Sequence, residues 1–173
     1  MLAVDYQRPS KLYRYSERHW LERSLKLGEF RLRPAAEQAN ASPQILPFQP
    51  IEARTAVAAT YLTLSLAKTW DDALFAEFPG ADCCLIIHDA EEFGERIHRA
   101  VKRVLPAWAG IDAAVSYGMP SSLGRAFSKT KSCAIEKEWL FAWRPTQPTS
   151  ALKPILVQIG SIEDIAELRE KPA

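Results

Sequence analysis

Three groups of residues in this chain have the types and spacing to do chemistry. Arg14 sits in the alternating segment Lys11-Leu12-Tyr13-Arg14-Tyr15, the hydroxyls Thr63 and Ser65 flank a leucine, and the carboxylates Glu136 and Glu138 flank a lysine. A planar, permanently charged guanidinium suits phosphate recognition. Residues two apart in a strand project from one face, so the spacing predicts Thr63 beside Ser65, and Glu136 beside Glu138 with Lys137 opposite. Two carboxylates side by side on one face have the geometry of a site. Each group also has a plainer reading. Glu136 and Glu138, with Lys131 and Lys137, have the composition of a solvated charged face; Arg14 suits an ion pair with a carboxylate such as Glu17; Ser65 suits a strand edge.

Regular elements must position these groups. The segment around Arg14 reads as a strand, followed by a helix that Ser16 would cap. Trp20, Leu21, Ser24, Leu25 and Leu27 lie at near-helical spacing, and Gly28 is a C′ stop. Glu29-Phe30-Arg31-Leu32-Arg33 alternates like a half-buried strand. The proline-rich stretch from Pro34 to Pro50 reads as a long loop.

Residues 60–66 place Leu62, Leu64 and Leu66 on one face and Tyr61, Thr63 and Ser65 on the other. The apolar run 82–88 reads as a buried central strand. It leads into the clearest helix, with Asp89 and Glu92 at capping-box spacing, Phe93, Ile97, Val101 and Leu105 as an apolar stripe, and Pro106 as its stop. Strand-like runs recur at 111–117, 134–143 and 152–159, and Ser161 is placed to cap a closing helix holding Ile162, Ile165 and Leu168.

The chain of 173 residues carries 22 basic and 21 acidic side chains, a net charge of +1 and 47% hydrophobic residues. That is one ordinary globular domain, 1–173, with no bulk charge steering it to nucleic acid or an anionic membrane. No apolar run is long enough to span a bilayer, and the first residues lack a signal-peptide layout, so the expected compartment is the cytosol. Cys83, Cys84 and Cys133 read as free thiols, and no metal site is expected, because His19, His88 and His98 show no paired ligand spacing with them.

In order along the chain, Leu12-Tyr13-Arg14-Tyr15, Thr63-Leu64-Ser65-Leu66 and Ile135-Glu136-Lys137-Glu138-Trp139 resemble the ADP-ribosyltransferase superfamily, in its group with a first-strand arginine, a middle-strand serine motif and a late E-x-E. The same stretches resemble a family of uncharacterised bacterial proteins with an aromatic-basic-tyrosine first strand. The superfamily's serine motif is often Ser-Thr-Ser; here it reads Thr-Leu-Ser.

The resemblance implies an α+β fold with a split, mixed or antiparallel β-sheet core and flanking helices. It also implies NAD as substrate and a macromolecular acceptor. In that scheme Arg14 holds the pyrophosphate, with Tyr13 beside it; Ser65, supported by Thr63, works in the nicotinamide pocket and helps position Glu138. Glu138 binds a ribose hydroxyl and faces the cation formed as nicotinamide leaves, while Glu136 meets the acceptor. Pro120 to Ser132, with Arg125, Lys129 and Lys131, becomes the acceptor-recognition loop. Trp70 is the tryptophan best placed to line a ligand pocket. Small bacterial enzymes of this kind often act as toxins or effectors, so a neutralising partner protein is a further expectation. The rival readings are a non-enzymatic interaction protein of the immunity or antitoxin kind, and a nucleic-acid-binding module using Lys129, Lys131 and neighbouring aromatics.

Overall fold

The computed structural model describes residues 7–35, 61–147, 149 and 152–173. The expected long loop lies outside these residues beyond Ala35. The described chain is α+β. In order it forms β1 (Leu12–Ser16), α1 (Arg18–Leu27), β2 (Glu29–Pro34), β3 (Leu62–Ala67), the short α2 (Leu74–Glu77), β4 (Cys83–Ile87), α3 (Ala90–Val104), β5 (Trp108–Ala114), β6 (Ser116–Tyr117), β7 (Ser128–Lys129), β8 (Glu138–Pro145), β9 (Ile155–Gln158) and β10 (Ala166–Glu170). Two 3-10 turns, Arg125–Phe127 and Lys131–Glu136, flank β7.

Eight strands make one antiparallel sheet, and β6 with β7 form a separate parallel ribbon. One line of the large sheet runs β10-β4-β1-β3-β8-β5. Strand β3 is the hub. Its whole length pairs with β8, from Leu62 opposite Trp143 to Ala67 opposite Glu138. Its other edge is shared: Ala67 pairs with Tyr13 of β1, whereas Thr63 and Leu62 pair with Arg33 and Pro34 of β2, which carries β9. The sheet therefore forks at β3, between β1 and β2.

Strict alternation in β3 decides the layering. Leu62, Leu64 and Leu66 join Leu12, Leu85, Trp139, Phe141 and Trp143 under α1 and α3, which contribute Leu21, Phe93, Ile97 and Val101 to one core. Fully burying side chains of this size contributes roughly 1.5–3 kcal/mol each before the entropy of ordering them is charged. The opposite face has two smaller covers. Tyr15, Leu74, Phe75, Cys84 and Ile86 pack beneath α2, and Ala113, Phe127, Leu140 and Ala142 pack beneath the segment that follows β6.

Helix α3 forms where the apolar stripe and charges place it. Asp89 Oδ1 accepts the Glu92 N–H at 3.0 Å, Lys102 and Arg103 end the last turn, and Leu105 is the C-cap. Only half of the capping box closes, because the Glu92 carboxylate turns to Arg96 at 2.7 Å. Helix α1 ends at Gly28 with φ 66° as expected, but its N-cap is Glu17 without a side-chain bond, since Ser16 is the last residue of β1. Its stripe is narrower than the spacing suggests: Trp20 is 58% and Leu27 46% exposed.

The closing segment departs from expectation. No helix follows Ser161; residues 166–170 form β10 on the open edge of β4, Ala166 opposite Ile87 and Glu170 opposite Cys83. The Ser161 hydroxyl accepts the Glu163 N–H in a local turn, and the Ile162 N–H goes to the Leu25 carbonyl at the end of α1. Pairing with an already ordered strand satisfies these backbone groups better than a short terminal helix, which is marginal by itself. Among the described residues no helix is long and apolar enough to cross a membrane.

Candidate functional site

Glu138 opens β8 and is 2% exposed. Its main chain is fixed opposite Ala67, and its N–H donates to the Tyr117 phenol oxygen at 2.8 Å. Across the hub strand, Tyr13, Ala67 and Glu138 form one row on the face opposite α1 and α3. Ser65 pairs with Leu140, which makes it the diagonal neighbour of Glu138 on that same face, about 7–8 Å away in such a ladder. The structure thus brings Tyr13, Ser65 and Glu138 onto adjoining positions of one surface.

The acidic pair is not assembled as a strand pair. Glu136 ends the 3-10 turn Lys131–Glu136, Lys137 takes a left-handed conformation with φ 40°, and only Glu138 belongs to the strand. The alternation that would put Glu136 and Glu138 side by side therefore does not operate. Lys129 joins them instead. Its Nζ lies 2.8 Å from Glu136 Oε2 and 2.7 Å from Glu138 Oε2.

The contact with Glu136 is an aligned hydrogen bond, whereas the buried Oε2 of Glu138 has no aligned one, so its contact with the ammonium is ionic. Burial would lower the pKa of Lys129, but the charges of Glu138 and Glu136 and the hydrogen bond to Glu136 outweigh it and hold the ammonium above the ordinary lysine range. Tyr117 and Lys129 are register partners in the small ribbon, so one two-strand clip brings both to Glu138. Burial raises the phenol of Tyr117, which keeps it protonated.

Arg14 arrives from elsewhere. It lies between Tyr13 and Tyr15, which pack on the site's face, and opposite Leu85 of the helix-covered core, so its side chain leaves the sheet on the α1 and α3 side. Its guanidinium turns into the fork, where among the described residues Leu64 to Leu66 have no strand partner on that edge, and donates to the Ser65 carbonyl at 3.2 Å. Burial and the nearby Arg33 both lower its pKa, and it stays charged at neutral pH. The expected ion pair with Glu17 is not made; Glu17 lies against His19. Arg14 and Ser65 thus meet through a main-chain oxygen, not side chain to side chain.

The remaining expected residues have local duties. The buried Thr63 hydroxyl donates to the Arg33 carbonyl at 3.1 Å, tying β2 to the hub. Trp70 packs edge-on against Phe75, donates its indole N–H to Asp72 at 2.8 Å, and lies under the Arg169 guanidinium, 5.4 Å from its ring centre. It belongs to the cover beneath α2, together with Tyr13. Asp71 Oδ1 accepts the Ala73 N–H in the turn before α2.

A second polar cluster lies on the helix side. Asp112, 8% exposed, accepts Arg8 Nε at 2.7 Å and Nη2 at 2.9 Å, meets His98 Nε2 at 2.8 Å, and accepts the Trp139 indole at 2.9 Å. An indole can only donate, so Trp143, 3.1 Å from His98 Nδ1, fixes the tautomer whose Nε2–H points at Asp112. With both ring nitrogens engaged, this aspartate–histidine pair is a fastener and has no free nitrogen for proton transfer. The sequence signal was Asp112 itself, a carboxylate inside the apolar run Ile111-Asp112-Ala113-Ala114. The surface depressions over α3, one beside Arg8 and His98 and the other beside Arg99 and Gly160, lie on this side and not at Glu138.

No family model, no curated protein and no solved structure matches the chain.

Proposed function

We propose that the chain is an ADP-ribosyltransferase-like enzyme that moves ADP-ribose from NAD to a macromolecular acceptor. One observation carries the reading: Glu138 is a carboxylate buried at the start of a central strand, on the same face as Ser65, with an oxygen that receives no aligned hydrogen bond. Its contact there is the Lys129 ammonium at 2.7 Å, which leaves carboxylate lone pairs for a ribose hydroxyl and negative charge beside a developing cation. The fork between β1 and β2 supports the split-sheet architecture of that superfamily.

In the reaction, the bond between ribose C1′ and the nicotinamide nitrogen breaks with its electron pair leaving on nicotinamide. Positive charge spreads over the ribose facing Glu138. The acceptor nucleophile then forms a bond to C1′ and gives its proton to Glu136. Ser65 orients the nicotinamide end. Arg14 acts through the Ser65 main chain at the fork; its buried guanidinium is turned away from the face of Ser65 and Glu138, so the pyrophosphate role expected of it is not carried over.

Titration of purified protein with NAD, together with nicotinamide release in a cell lysate, tests the reading. Glu138→Gln is expected to bind NAD within severalfold of the native protein and to lose release by about 10²–10³-fold. A native protein that neither binds NAD nor releases nicotinamide overturns it. The Lys129 contact favours a second reading, a non-enzymatic interaction protein, because an ammonium already balances part of the acidic pair. Growth arrest on expression that vanishes in Glu138→Gln supports the enzyme; identical effects of both proteins support the interaction protein. The nucleic-acid reading loses its central cation, since Lys129 is engaged by Glu136 and Glu138.

A further inference from the structure

We infer that Lys129 is a positioning residue of the same site: it assembles Glu136 and Glu138 into one acidic pair. This rests on the enzymatic reading for its consequence, but its geometric core stands apart from it. Glu136 belongs to a 3-10 turn and Glu138 to a strand, with the left-handed Lys137 between them, so backbone geometry does not hold the two carboxylates together. Their Oε2 atoms lie 2.8 Å and 2.7 Å from one nitrogen, hence within about 5.5 Å of each other. At that separation, and with Glu138 at 2% exposure, two unbridged negative charges repel strongly.

The ammonium is itself delivered with precision. Lys129 sits in the ribbon opposite Tyr117, whose phenol oxygen accepts the Glu138 N–H, so cation, phenol and carboxylate are fixed relative to one another. Two carboxylates and one ammonium leave a single net negative charge, which still favours a developing cation at ribose C1′. The loop expected to read the acceptor therefore has a second duty at its end: it sets the distance between the carboxylate that faces ribose and the one that meets the nucleophile.

Lysine acetylation with an activated acetate ester, mapped residue by residue by mass spectrometry on the native protein, tests the geometry without any need for turnover. Lys129 is expected to react at least about tenfold more slowly than the exposed Lys131 and Lys137, and to approach them in Glu136→Gln/Glu138→Gln. Equal labelling in the native protein overturns the inference.

Nicotinamide release tests the consequence. Lys129→Met is expected to lower kcat by about 10- to 100-fold with KM for NAD within about twofold, and Lys129→Arg to recover part of the loss. An unchanged or raised kcat in Lys129→Met overturns it, because the ammonium would then be idle or obstructive. A native protein without NAD turnover defeats the enzymatic reading alone; slow labelling of Lys129 that depends on Glu136 and Glu138 still upholds the assembly, and its absence ends it.

Discussion

Arg8 and Asp112 form the most consequential ion pair outside the candidate site. The guanidinium meets the carboxylate with two nitrogens and is 16% exposed, against 6% for the aspartate side chain. Removing one partner of so buried a pair leaves an uncompensated charge, so Arg8→Met is expected to cost about 3 kcal/mol in urea unfolding at constant m-value. The other contact of Arg8 goes to Glu91, which is 70% exposed, and Glu91→Gln should change stability by less than about 0.5 kcal/mol. If the two substitutions cost the same, the pair is not the fastener its burial indicates. The packing around Arg8 explains a glycine in mid-helix: a Cβ on Gly94 would lie 2.4 Å from Arg8 Cζ. The helix accepts the propensity loss because the guanidinium needs the room.

At the scale of elements, the end of α1 and the β9–β10 connection hold each other. Gly28 takes φ 66° as the cap, its carbonyl accepts the Ile159 N–H at 3.0 Å, and a Cβ there would lie 2.0 Å from the Gly160 carbonyl oxygen. Gly28→Ala thus meets strain and backbone collision together, and is expected to cost about 2 kcal/mol or more in urea unfolding. Gly160→Ala, with φ 80° and open space around it, should cost only the conformational term of about 1 kcal/mol. Equal costs would remove the collision from the account.

The same region marks the limit of reading the chain locally. The alternation of Leu62, Leu64 and Leu66, the Asp89 cap and the Gly28 stop are short-range signals, and they locate β3, α3 and the end of α1. Ile162, Ile165 and Leu168 satisfy helical spacing while Ala166 and Leu168 satisfy strand alternation. The deciding factor is the open edge of β4, some 80 residues away in the chain. The site behaves alike. Ser65 and Glu138 were visible as residue types, whereas the fork that turns Arg14 to a main-chain oxygen depends on how three strands share one edge. The role of Lys129 depends on a ribbon only two residues deep.

For the molecule as a whole, the charged groups that folding perturbs set the pH range of stability. Burial would raise the pKa of Asp112, but the bonds from Arg8, His98 and Trp139 outweigh it and hold its carboxyl well below the usual range. Asp164 is lowered by Arg96, and Glu29 by Arg23 and Gln158. A carboxylate whose pKa is lower in the folded state contributes stability that is fully present above the unfolded value, near 4, and is lost as pH falls toward the folded one. Lys129 has the opposite sign: its raised pKa contributes below the unfolded lysine value, near 10.4, and that contribution is lost as pH rises through the folded one. The urea midpoint is therefore expected to be flat from about pH 6 to 8, to fall below about pH 4.5, and to fall again from about pH 8.5 upward, where Cys84, Tyr15 and Tyr117, whose pKa values burial raises, lose their contributions before and beside Lys129. Asp112→Asn should start lower and descend less steeply in acid while keeping the alkaline descent, and Lys129→Met should do the reverse. An acid limb in Asp112→Asn as steep as in the native protein would assign the acid sensitivity to the other lowered carboxylates, Glu29, Asp164 and Glu167, and remove Asp112 from its control.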